Sequence, residues 1–302
     1  LSHEGFRRTL RGKGNLNLKT HPAKKHDSEI LSIAKRAVVT MPQTTPIYNA
    51  IQMMTREGFR RIPITDSGTR SLEGIVTATD IIDYLGGGKK FEIIRQKFAG
   101  NIFKAINEPI RLVMTQKVVS IETSAKISEA IRLMTEKNLG GLPVVDENNS
   151  VKAIITERDI ANLFADRLSG VNVAQLMSQE VVTALSKTTI FEAEQSMVTQ
   201  GFRRLPIIAN DKVVGIITAM DIIRFFGSGE VFKHLKSGSI IQVLNTPALE
   251  IASKNVSTIE PTADVGQAAK IMQDKDIGAV PVIENSKLVG IITERDFFKI
   301  ID

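Results

Sequence analysis

Apolar residues recur along this chain at two alternating periods. Ile47, Ala50, Ile51 and Met54 fall three and four residues apart, which predicts an amphipathic helix with one buried face. Ile127, Ala130, Ile131 and Met134 repeat that spacing. After the first helix come two β-branched runs, residues 62–65 and 72–77, which predict a pair of strands. Gly58 and Gly201 stand where such a helix should stop, because the residue after a helix often adopts the left-handed conformation that glycine tolerates. A short strand ahead of the helix is expected to end at Thr40, and a second helix to start near Asp80.

The whole pattern occurs four times. The leading strand ends at Thr40, Ser120, Thr183 or Thr258. Marker prolines fall at Pro63, Pro143, Pro206 and Pro281, and marker aspartates at Asp80, Asp159, Asp221 and Asp296. Met54, Met134, Met197 and Met272 lie on the predicted buried helix face and read as core. The copies alternate. Odd repeats carry Gly-Phe-Arg-Arg before the proline and Thr-Ala-x-Asp at the second helix; even repeats carry Gly-Gly or Gly-Ala and Thr-Glu-Arg-Asp. The linkers after the odd repeats, residues 86–110 and 227–247, are long, open with Gly-x-Gly and contain a helical stretch. This order implies a duplicated two-repeat unit, with natural domains at 37–166 (motifs 37–86 and 111–166) and 172–302 (motifs 172–227 and 248–302). The fold class is α/β of the α+β type: four βαββα units whose open sheet faces must be covered by pairing.

Composition narrows the function. The chain has 302 residues, 42% of them hydrophobic, and no apolar run long enough to span a membrane. With no secretory pattern in view, it reads as soluble and cytoplasmic. The absence of cysteine excludes disulfides and thiolate chemistry. The net charge of +6 looks like a nucleic-acid signal, but residues 1–36 hold nine Lys/Arg against three Asp/Glu, so the other 266 residues are neutral. That leaves a basic N-terminal tail, including Arg7, Arg8, Arg11, Lys13, Lys19, Lys24 and Lys25, as the only nucleic-acid or protein-docking element. Three of the four histidines (His3, His21, His26, His234) also lie there, without metal-ligand spacing. No catalytic residue, metal site or catalytic cofactor is expected. Gly86-Gly87-Gly88-Lys89-Lys90 lacks the phosphate-loop pattern and reads as a helix stop followed by a flexible linker.

The fourfold recurrence resembles the CBS-domain superfamily. The two tandem pairs (Bateman modules) resemble the layout of the γ subunit of AMP-activated protein kinase and of stand-alone microbial CBS proteins. The resemblance implies two pseudo-twofold modules forming a disk, complete in one chain as a monomer or joined through linker helices as a dimer of disks. It implies a regulatory adenine-nucleotide sensor (AMP, ADP or ATP) that acts on a protein partner, with no membrane contact; S-adenosylmethionine or adenosine is the alternative ligand. By the family pattern, Thr77 and Asp80, Thr156 and Asp159, Thr218 and Asp221, and Thr293 and Asp296 hold ribose. The same Thr-x-x-Asp pattern also reads as a helix capping box. Thr40, Ser120, Thr183 and Thr258 mark the adenine side. Arg60 and Arg203, three residues before the prolines, and Arg158 and Arg295, just before the even aspartates, are the implied phosphate ligands. Arg61 and Arg204 reach the opposing module's ligands. Two odd clefts are then expected to be fully equipped: Thr77, Asp80, Arg60 and Arg158 in one, and Thr218, Asp221, Arg203 and Arg295 in the other. The even clefts, with Gly140 and Gly278 at the first basic position, are expected to be poor phosphate sites.

Overall fold

The computed structural model describes residues 28–231 and 238–301. The basic segment 1–27 and His234 lie outside the described residues. Residues 28–36, which charge balance groups with that segment, are packed: Ile30 is fully buried in the core of the second motif.

Each motif follows its sequence pattern. In the first, the helix Ile47–Glu57 buries Ile47, Ala50, Ile51 and Met54 and stops at Gly58, whose φ is 69°. The third motif repeats this with Ile190–Gln200 and Gly201 at φ 75°. A hairpin follows, Arg61–Thr65 with Leu72–Thr77, and each marker proline faces an isoleucine across it, as Pro63 faces Ile75. The closing helix starts immediately after, at Ala78 in the first motif and Ala219 in the third. The four methionines of the helical stripe are buried.

The leading strand differs from expectation. Pairing begins one residue after Thr40, Ser120, Thr183 and Thr258, and is brief: single bridges at Met41 and Ile259, and two-residue strands Ile121–Glu122 and Ala184–Leu185, all parallel to the first hairpin strand. The valines before it are used otherwise. The chain ahead of each motif clips onto the last strand of its partner: Lys35 bridges Ile154, Thr115 bridges Ile75, Ser178 bridges Ile291 and Ser253 bridges Ile216. Each bridge is a reciprocal pair of backbone hydrogen bonds of 2.8–3.0 Å. This exchange ties motif one to two and motif three to four.

The two pairs meet through helices, odd against odd and even against even. Helix Ile47–Glu57 packs on Ala219–Gly227, and Ile190–Gln200 packs on the turn Asp83–Gly87. Motifs one and three thereby share a single core. On the even side, Phe298 enters the core of motif two, and the Phe164 and Phe297 rings lie 5.4 Å apart. The glycine run after the first motif is therefore not a flexible linker. Gly86 and Gly87 are buried, and a Cβ on Gly87 would stand 2.8 Å from the Glu194 carbonyl oxygen. Glycine is needed because the helix of the third motif approaches so closely. No helix among the described residues is long and apolar enough to cross a membrane.

Candidate functional site

The Thr-x-x-Asp segments form four capping boxes of one geometry. In each, the threonine amide and hydroxyl both donate to Oδ2 of the aspartate, at 2.6–2.9 Å. The cap occupies one carboxylate oxygen and leaves Oδ1 over. Asp80 Oδ1 accepts from Lys90 Nζ at 2.8 Å, Asp221 Oδ1 from Arg224 at 3.1 Å, and Asp296 Oδ1 from Lys299 at 2.7 Å. Burial pushes the Asp159 and Asp221 carboxyls up from the ordinary value, against the hydrogen bonds from their threonines.

The arginines converge on the centre of the molecule. Arg60 and Arg203 anchor their own motif only by backbone: their carbonyls accept from Ala78 and Ala219, the first residues of the closing helices. Their guanidinium groups cross to the other pair, Arg60 to Glu294 and Arg203 to Glu157, both at 2.5 Å. Arg61 and Arg204 stay in their own pair and donate to the carbonyls of Gly140 and Gly278. Crossing is thus done by the first arginine of each doublet, the reverse of the sequence expectation. Arg158 donates to Glu294 at 2.8 Å and also pairs with Asp276; Arg295 reaches motif two, bonding Asn138 and lying 3.6 Å from Glu157.

Six arginines, 60, 61, 158, 203, 204 and 295, therefore surround two buried carboxylates. Burial would raise Glu294, but Arg60, Arg158 and Arg204 overcome it and hold its pKa at about 2. Arg203 and Arg295 likewise keep Glu157 below the usual carboxylate range against its burial. The cost appears on the cations. Burial first, then the neighbouring Arg203, pushes Arg61 down to about 10 and Arg204 to about 9. With Asp276 counted beside Arg158, six arginines face three carboxylates, an excess of three positive charges.

Two corrections to the sequence expectation follow. Gly140 and Gly278 are not missing cations but sockets: a Cβ on Gly140 would stand 2.7 Å from both Arg61 and Arg203, and one on Gly278 2.7 Å from Arg60. The cleft at Thr156 is therefore supplied with arginines from the first motif. Arg158 and Arg295 also differ from expectation: Arg158 lines the cleft of the third motif, and Arg295 bonds Asn138 and the Met134 carbonyl of the second. The cleft at Thr218 and Asp221, about 410 Å³, is lined by Arg60, Arg158, Arg203 and Arg204, without Arg295. That volume lies within the usual range for a small-molecule site, about 300–1,000 Å³. A smaller cleft, about 100 Å³, lies at Thr156 with Arg60, Arg61 and Arg158. Its leader wall is residues 37–39, and that of the Thr218 cleft includes residues 255–257. Thr40 instead lines an outer groove with Arg36 and Arg70, Thr258 and Thr183 are exposed, and Ser120 is half-buried. In these two motifs the residues that face a cleft thus lie one to three positions ahead of Thr40 and Thr258. Sequence reasoning missed Glu157 and Glu294, which read as ordinary acids in a helix's first turn; their burial among arginines depends on the packing of the two pairs.

The sequence profile of the CBS domain matches residues 29–87, 110–166, 173–228 and 248–302. Protein MJ1225 of Methanocaldococcus jannaschii is 36% identical over 273 residues, covering 89% of this chain and 98% of MJ1225. A 33.4 kDa protein encoded in the ribosomal RNA operon of Thermofilum pendens is 32% identical over 259 residues, 86% of each chain. The crystal structure of MJ1225, which presents that protein as a suggested archaeal homologue of g-AMPK, superposes with a TM-score of 0.87 at 34% identity, covering 91% of this chain and all of that one. A Pyrococcus horikoshii protein, 19% identical with a TM-score of 0.60 over 91% of this chain and all of its own, shares the fold. The chain belongs to the CBS-domain family and carries four CBS domains.

Proposed function

We propose that the protein is a regulatory sensor, not an enzyme, that binds AMP, ADP or ATP with the phosphates in the central arginine cluster. The observation that carries this reading is the convergence of six half-buried arginines on two buried carboxylates, which with Asp276 beside Arg158 leaves an excess of three positive charges. Buried charge is costly unless it is paired, and guanidinium forks match phosphate oxygens in geometry and sign. The Thr218–Asp221 cleft is the principal site: it opens onto four of the six arginines and has room for a nucleotide. Its aspartate receives the ribose hydroxyls at Oδ1, displacing the half-exposed Arg224. The backbone of the leader segment reads the adenine. The suggested relation of MJ1225 to g-AMPK supports the regulatory part of this reading.

The alternative ligand, S-adenosylmethionine, carries a sulfonium and no phosphate, so a cationic cluster opposes it. Adenosine fits the ribose and base contacts but leaves the arginines uncompensated. A role for the basic tail in nucleic-acid binding concerns residues outside the described structure. Because the leader exchanges are all made within one chain, a single chain is expected to act as one disk on its protein partner.

Thermal unfolding with each ligand in turn tests the reading. A ligand that binds only the folded state stabilises by about 2.7 kcal/mol at a hundredfold excess over its Kd. AMP, ADP and ATP are expected to raise the melting temperature, with small effects from GTP, inorganic phosphate and S-adenosylmethionine. A shift from S-adenosylmethionine as large as that from AMP contradicts the phosphate assignment; one from GTP as large as that from ATP contradicts adenine selection.

A further inference from the structure

The four ribose-type aspartates are not equally free, and the first is held differently from the others. Arg224 and Lys299 sit three residues beyond their aspartates on the same helical segment, with half their side-chain surface in solvent. At the matching place the first motif has an acid, Asp83. Its cation is Lys90, delivered from the linker at the mouth of the helix Phe91–Phe98 and only 29% exposed. Lys90 Nζ donates to Asp80 Oδ1 at 2.8 Å and to the Val113 carbonyl at 2.7 Å, while its own amide donates to Asp83 Oδ1 at 3.1 Å. Val113 is fully buried where the chain enters the second motif, two residues before Thr115 clips onto Ile75. One ammonium thus joins the first motif's aspartate, the linker helix and the start of the second motif. Counted from the glycines that open each linker, the third motif has Val231 at this position, fully buried and apolar. Both differences, Asp83 for arginine and Lys90 for valine, belong to the same exchange.

We propose that Lys90 is a latch on the first cleft, the nucleoside site expected at Thr77 and Asp80. It occupies the Asp80 oxygen that a ribose diol needs, so a nucleoside enters only by displacing it, and that displacement frees the linker between motifs one and two. The inference rests on the ribose reading of the Thr-x-x-Asp segments. It makes the first cleft weaker than the Thr218–Asp221 cleft for the same ligand, and it links filling of the first cleft to the linker on the outside of the molecule.

Adenosine is the appropriate probe, because it carries no phosphate and leaves the arginine cluster out of the comparison. Calorimetric titration of the full chain compares wild type with Lys90→Val, which copies Val231, and Lys90→Gln, which keeps a donor for the Val113 carbonyl. Both variants are expected to bind adenosine about tenfold or more tightly at the first cleft, the loss of one charge-assisted competitor. Adding Asp80→Ala should remove the gain. Hydrogen exchange supplies a second readout: amides of residues 91–98 should lose protection when adenosine fills wild type, and should already be less protected in Lys90→Val without ligand. If Asp80→Ala weakens binding but neither Lys90 variant tightens it, the latch is wrong and the ribose reading stands. If Asp80→Ala has no effect in any background, the ribose reading of this cleft falls and the latch with it.

Discussion

Glu294→Gln is expected to destabilise the ligand-free protein by about 3–5 kcal/mol at pH 7, the usual cost of removing one partner of a buried ion pair. Glu294 is clamped by Arg60 and Arg158 with only 2% of its side chain exposed, so the amide would leave Arg60 without its carboxylate and Arg158 with the exposed Asp276 alone. The pH dependence has a definite sign. The folded pKa of about 2 lies below the ordinary 4.5, so Glu294 contributes stability that is present above pH 4.5 and is lost as pH falls toward 2. The gap between wild type and variant should therefore close in acid, measured by denaturant unfolding at several pH values. The same substitution adds one uncompensated positive charge, so ATP should restore more stability to the variant than it adds to wild type. A variant as stable as wild type at pH 7 would mean that the cluster is solvated rather than buried.

Glu194→Ile is expected to act in the opposite direction and stabilise the protein by about 1–3 kcal/mol, the usual cost of a buried polar group without a hydrogen bond. Glu194 is fully buried where the third motif's helix meets the turn Asp83–Gly87, and neither of its carboxylate oxygens has a partner among the described residues. Its counterpart in the first motif's helix is Ile51, which packs beside Gly227 in the matching contact. Burial pushes the Glu194 carboxyl well above 4.5. For an acid raised in this way the folded state holds the proton longer than the unfolded chain, so stability falls as pH rises above 4.5. The advantage of Glu194→Ile should grow over that range. An unchanged or smaller difference at higher pH would show that the carboxyl finds a partner in solution.

The local features of this fold were legible in the sequence, and the long-range ones were not. The helical stripes, the stops at Gly58 and Gly201 and the caps at the four aspartates depend on neighbours a few residues away, and they stand as the pattern requires. The leading strands failed this reading because β-branched composition does not say with what a segment pairs. The valines ahead of them instead lie between a bridge to the partner motif and one to their own. The candidate site was legible as a set of residue types, and four of the six arginines line the Thr218 cleft. Which arginine faces which aspartate was not legible. Arg60 and Glu294 are 234 residues apart and meet only because the two pairs pack helix to helix. Gly140 and Gly278 misled for the same reason: an absent side chain in the sequence is, in the folded protein, the space another motif's arginine fills.

The central claim, that the arginine cluster is a phosphate site shared by the two pairs, is tested most directly by titrating AMP and adenosine into wild type and Arg203→Ala. Arg203 lines the Thr218 cleft while its guanidinium pairs with Glu157 of the other pair. Its loss should weaken AMP roughly ten- to hundredfold and leave adenosine within about twofold. Equal losses for AMP and adenosine would show that Arg203 maintains the shape of the cleft without meeting phosphate, and would contradict the account.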